Sequence, residues 1–159
     1  MDKKKSPLSY DRFMLAIAFL AVFIIFTRTP RGFDIWWHLR SGEEMVLRGQ
    51  ILLEDIFSYT RAGALWVNVF WLADIIFFLI FKLGGFLAHS AFVALLGVVT
   101  LGVVNKQIDL PAFSRILLLV LAALTASPAW MPRPQIFSFL LLAFLDLWLY
   151  KVKLGKKRN

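Results

Sequence analysis

The chain has 159 residues, of which 60% are hydrophobic, and carries 18 Lys and Arg against 10 Asp and Glu for a formal net charge of +8. A soluble domain is nearer half apolar, so the expected solvent is lipid. The absence of cysteine excludes disulfides, thiolate metal sites and cysteine nucleophiles, and the length leaves room for a few spans of about 20 residues and one structured loop.

The excess positive charge sits mostly at the two ends, in Lys3, Lys4, Lys5 and Arg12 and again in Lys151, Lys153, Lys156, Lys157 and Arg158. Such clusters mark the cytoplasmic flank of membrane spans and meet anionic lipid, so membrane lipid rather than nucleic acid is the expected partner. After the first cluster comes the apolar run Phe13–Phe26, followed by Thr27, Arg28, Thr29, Pro30 and Arg31 with no small-x-small cleavage signal. It reads as an uncleaved first span with its amino end inside.

Four more apolar runs follow: Val67–Phe81, Phe86–Val104, Ala112–Ala126 and Ile136–Tyr150. Five crossings would place the two basic ends on opposite sides, against the positive-inside rule, so one run should not cross. Val67–Phe81 is the candidate. At 1.5 Å per residue it reaches only about 22 Å against roughly 30 Å of hydrocarbon, it contains Asn68 and Asp74, and Trp66 and Trp71 mark its start as headgroup-seeking.

The expected fold is therefore an all-α, polytopic integral membrane protein with four transmembrane helices and external juxtamembrane helices. The spans are 13–28, 86–104, 110–127 and 135–151; residues 29–85 form an external loop with surface helices at 34–48 and 67–82; residues 152–159 are a basic cytoplasmic tail. Arg115 and Asp146 fall at similar depth in an antiparallel hairpin of the last two spans. Because lone intramembrane charges are expensive, a structural ion pair between them is expected, with independent snorkelling to the interface as the alternative.

The external loop holds the chemistry. Gly32 breaks the chain, Asp34 opens a helix and Gly49 ends it. Helical spacing puts Ile35, Leu39, Gly42 and Val46 on one face and Asp34, His38 and Ser41 on another, beside Arg40, Glu43 and Glu44. An apolar stripe opposite a charged one fits a helix lying in the membrane surface. Asp34 and His38 are one turn apart, within hydrogen-bonding reach. A carboxylate in a first turn is stabilised as the anion, which suits a base or a ligand and equally a plain helix cap. Trp36 and Trp37 read either as interfacial anchors or as a sugar-stacking platform.

Three prolines restrict the later loop from Pro128 to Gln135 and hold Arg133 between Pro132 and Pro134. A stiffly held guanidinium suits a phosphate or a carboxylate, or simply faces lipid headgroups. His89, near the external end of the second span, is a further candidate for the same space. The residues assemble no metal-ligand set, no phosphate-cradling glycine loop and no hydrolase triad.

The order of elements resembles a known family. The segments Asp34-Ile35-Trp36-Trp37-His38-Leu39, Asp55-Ile56-Phe57-Ser58-Tyr59-Thr60, Lys82-Leu83-Gly84-Gly85 and Arg133-Pro134-Gln135-Ile136-Phe137-Ser138 are similar to the amino-terminal half of bacterial GT-C membrane glycosyltransferases. These include lipid-linked-sugar transferases related to protein mannosyltransferases and aminoarabinose transferases. The resemblance implies a multi-pass protein of the bacterial cytoplasmic membrane, both termini cytoplasmic, taking a sugar from a polyprenyl phosphate at the outer face. It implies Asp34 as the catalytic, acceptor-activating group. For a transferase of this kind the expected substrate contacts, read from the residues themselves, are Trp36, Trp37, His38, Arg40, Glu44, His89, Arg133 and Gln135, and a divalent cation is the one candidate cofactor. Family members carry well over seven spans. A non-catalytic membrane subunit, either a truncated relative or half of a split transferase acting with a second membrane protein, therefore stands as the alternative.

Overall fold

The computed structural model describes residues 8–27 and 33–156. They form five helices: α1 (Leu8–Phe26), α2 (Asp34–Arg48), α3 (Trp71–Asn105), α4 (Ala112–Ala126) and α5 (Gln135–Lys156). The all-α expectation holds: among the described residues there is no strand, only an isolated antiparallel bridge between Glu54 and Leu65. The break expected at Gly32 and the basic residues Lys3, Lys4, Lys5, Lys157 and Arg158 lie outside the described residues.

Among the described residues, two helices, α3 and the Gln135–Lys153 part of α5, are long and apolar enough to cross a membrane, where four spans were expected. α4 is apolar but has 15 residues, about 22 Å of helix. Its end has a local cause. Pro128 has no N–H to give the carbonyl four residues back, and the Ser127 hydroxyl donates to that carbonyl, Leu124 O, at 2.9 Å instead. At the other terminus, residues 152–156 prolong α5 rather than forming a tail.

The surface helix expected at 67–82 begins only at Trp71. Asn68 makes the turn before it, accepting the Phe70 N–H on Oδ1 at 2.9 Å. α3 then runs through to Asn105 with a break at Gly84 and Gly85, where Gly85 takes φ +60°, the left-handed region that favours glycine.

The chain divides into two compact units. The first contains residues 8–27, 93–131 and 135–156, and in it α1 packs on α4. Phe26, 1% exposed, stacks on Trp130 with centroids 4.8 Å apart, and Trp130 tilts against Phe139 at 5.5 Å. The indole Nε1 of Trp130 donates to Val93 O at 3.0 Å. A Cβ at Gly97 would overlap the Phe26 ring, so glycine is what admits that ring against α3. Further along, Val103 packs with Ala143 and Leu147 of α5.

The Arg115–Asp146 pair does not form. α5 turns its Ala143–Leu147 face to Val103, which leaves Asp146 exposed, while α4 packs on α1. Arg115 Nε is buried with no hydrogen-bond partner. Equal depth along two helices does not make two side chains share a face.

The second unit contains residues 33–92 and 132–134. α2 buries Ile35, Leu39, Ser41, Gly42 and Met45; Val46, on the apolar stripe by spacing, is exposed, and Ser41, on the polar face by spacing, is buried. The inward stripe is rotated because α2 meets α3 at Gly42, where a Cβ would run into the backbone carbonyl of Asp74 and the Cβ of Phe78. After α2, the segments around Glu54 and Leu65 form a short ribbon, with Trp66 N donating to Leu53 O and Asp55 N to Ala64 O, both at 2.8 Å.

Candidate functional site

The described candidate residues lie mostly in the second unit, along α2. At its first turn, Asp34 Oδ2 stands 2.7 Å from Arg133 Nη2. Both side chains are about half exposed, 56% for Asp34 and 48% for Arg133. The residue at the N-cap is Phe33, with no side-chain cap bond, so Asp34 is not the cap. It is the first helical residue, and its carboxylate combines the helix N-terminal field with a guanidinium.

One turn along, His38 does not bond Asp34. Its Nδ1 lies 2.7 Å from Asp74 Oδ1, and Asp74 Oδ2 accepts from Asn68 Nδ2 at 2.8 Å. Asp74 is 2% exposed and Asn68 5%. A buried carboxylate must be paired or hydrogen-bonded to remain charged at acceptable cost, and this demand draws the imidazole away from the half-exposed Asp34. The rings of Phe70 and Phe77 meet the imidazole edge-on at 5.9 and 6.3 Å.

The tryptophans are half exposed and lean on other rings. Trp36 meets Phe86 edge-on at 5.3 Å. Trp37 lies 5.0 Å from Phe57 and 6.4 Å from Trp66, nearly parallel to the latter. Phe57 is placed by Asp55, whose Oδ1 accepts the N–H groups of Phe57 and Ser58, both at 2.9 Å. The Ser58 hydroxyl, followed by those two amides, holds the Asp55 carboxyl below its ordinary range.

Arg40 and Glu44 are paired within α2. Arg40 bonds Glu43 and Glu44, each at 2.6 Å, and Glu44 also takes Arg48 at 3.0 Å. The hydrogen bond to Glu43, with the charge of Glu44, pushes the guanidinium above its already high value. Spacing of three and four residues accounts for the ladder.

His89 does not face an open space. It is 0% exposed, edge-on to Phe77 at 5.0 Å, with neither ring nitrogen hydrogen-bonded. Gln135 is the exposed first residue of α5 and belongs to the first unit. Among the described residues no group of three or more His, Cys, Asp or Glu side chains is placed to hold a metal ion, so the candidate divalent cation has no fitting ligand set in them.

Asn68 and Asp74 were not expected in the site, although their polarity in an apolar run was visible. The signal that points to Asp74 is its isolation: a carboxylate on an apolar helix needs a partner from elsewhere in the chain, and His38, whose expected partner was Asp34, was within the sequence a donor that could serve it. No family model, no curated protein and no solved structure matches this chain.

Proposed function

We propose that this chain is a membrane glycosyltransferase module of the GT-C type, crossing the bacterial cytoplasmic membrane four times with both termini on the cytoplasmic side. It moves a sugar from a polyprenyl-phosphate donor to a hydroxyl acceptor at the outer face. The observation that carries the reading is the Asp34–Arg133 pair at 2.7 Å, which joins the acid opening the first surface helix to the arginine of the proline-rich loop. In an acceptor-donor complex, Arg133 offsets charge on the departing phosphate, and Asp34 orients or deprotonates the acceptor. The half-exposed rings of Trp36 and Trp37 offer apolar faces to a sugar.

The lipid setting is supported by the outer faces of the apolar helices. Leu117, Leu118, Leu121 and Leu124 of α4 and Leu141, Leu142 and Trp148 of α5 are all exposed, a pattern suited to hydrocarbon rather than water. Those same faces support a second reading as a non-catalytic subunit that buries them against another membrane protein.

The test is sugar transfer from a polyprenyl-phosphate donor by purified protein in lipid. The wild type is expected to transfer and Asp34→Asn to lose transfer while remaining folded. Unchanged turnover in Asp34→Asn removes that residue's role, and copurification with an obligatory second membrane protein, without donor binding by the chain alone, favours the subunit.

A further inference from the structure

A buried carboxylate that holds a histidine by one ring nitrogen leaves the other as an oriented acceptor. Both oxygens of Asp74 are used, by His38 Nδ1 at 2.7 Å and by Asn68 Nδ2 at 2.8 Å. An ionised carboxylate only accepts, so in the neutral imidazole Nδ1 carries the proton and Nε2 the lone pair. No described residue takes Nε2, and the side chain remains 14% exposed. The geometry is held from the backbone upward, because Gly42, one turn after His38 on α2, lies directly against the Asp74 carbonyl.

We propose that His38 is the proton acceptor of this site and Asp74 its positioning residue, the substrate being a hydroxyl-bearing acceptor. The proposal rests on the transferase reading. The acceptor oxygen forms a bond to the anomeric carbon of the donor sugar while Nε2 takes its hydroxyl proton. The bond from that carbon to the phosphate oxygen breaks, and its electron pair leaves with the lipid phosphate. The imidazolium faces the Asp74 carboxylate, which stabilises it, and then releases the proton to water. Asp34, one turn away with Oδ2 engaged by Arg133, orients the acceptor.

The chain has only two histidines, so ¹⁵N-histidine labelling of the full chain in lipid nanodiscs yields two ring systems, which His38→Gln assigns. The expected wild-type spectrum has His38 protonated at Nδ1 and bare at Nε2. Asp74→Asn is expected to shift it toward the opposite tautomer and to slow carbethoxylation of His38 by diethyl pyrocarbonate. His38→Gln keeps an amide that can donate to Asp74, and is expected to lower kcat for transfer by about 10²–10⁴-fold with little change in KM. Equal kcat in His38→Gln overturns the assignment of His38, and an unchanged tautomer and reaction rate in Asp74→Asn overturn that of Asp74. If Asp74→Asn does not fold, His38→Gln decides alone. A wild type that transfers no sugar removes the transferase reading instead. The tautomer and the pyrocarbonate rate then decide the dyad: dependence on Asp74 supports it, and independence overturns it.

Discussion

In residues 33–92 and 132–134, buried polar side chains reach across the chain to one another, His38 to Asp74, Asp74 to Asn68. In residues 8–27, 93–131 and 135–156, the buried hydroxyls turn back on their own helices: Thr100 donates to Leu96 O at 2.8 Å and Ser127 to Leu124 O at 2.9 Å. There the contacts between segments are mainly rings and methyl groups, Phe26 on Trp130, Val103 with Ala143 and Leu147, with one directional bond from the Trp130 indole to Val93 O. Apolar contact is non-directional and tolerates small shifts, so it serves a scaffold. A carboxylate bonded at both oxygens demands particular partners at particular distances, and it is where an oriented lone pair can be offered to a substrate.

Four substitutions and one titration sharpen this contrast. The largest effect is expected from Gly42→Ala, because the new methyl would meet the Asp74 carbonyl, and backbone yields little. We expect a loss of about 3 kcal/mol or more, read as a lowered midpoint of unfolding in lipid-detergent mixtures. His38→Ala leaves the buried Asp74 carboxylate with one partner fewer, and about 2–3 kcal/mol is expected by the same measurement. A loss as small as that of a surface substitution would show that water replaces the imidazole freely.

In the other unit, Gly97→Ala presses on the Phe26 ring, a side chain held by its stack on Trp130. About 1–2 kcal/mol is expected, since a ring can move where a carbonyl cannot. An effect as large as that of Gly42→Ala would break the proposed difference in tolerance. Arg133→Ala removes a half-exposed ion pair, which is expected to change stability by less than about 1 kcal/mol while weakening donor binding.

The smallest effect concerns the turn at Asp55. The Ser58 hydroxyl bond, with the amides of Ser58 and Phe57, lowers this carboxyl from its ordinary 3.8. A depressed acid stabilises the fold above its unfolded-state value and loses that contribution as pH falls through the folded one. Hydrogen exchange at the Phe57 and Ser58 amides is therefore expected to be steady at neutral pH, after allowance for its intrinsic pH dependence, and to lose protection only in acid below about pH 4. Loss of protection near neutrality would count against the Asx turn.

Much of the local structure was legible beforehand because its causes are local. α2 opens at Asp34 and closes before Gly49, which takes φ +65°, and the break in α3 falls at the paired glycines 84 and 85. Both follow from what single residues permit the backbone to do. The start of α3 was placed too early because the apolar pattern extends back to Val67, whereas Asn68 competes for the backbone with its own side chain.

Composition and short-range pattern alone point to an all-helical chain with long apolar helices, two of them long enough among the described residues to cross a membrane, and a polar segment between its first two apolar runs, because apolar share, helix spacing and glycine punctuation act within a few residues. The choice of charged partners is made by folding. His38 pairs with Asp74 across 36 residues, Asp34 pairs with Arg133, and Arg115 and Asp146 remain apart despite matching depth. Such pairings depend on which helix faces meet, and that orientation is set by close approaches such as Gly42 on α3 and Gly97 on Phe26, which no spacing rule along the chain contains.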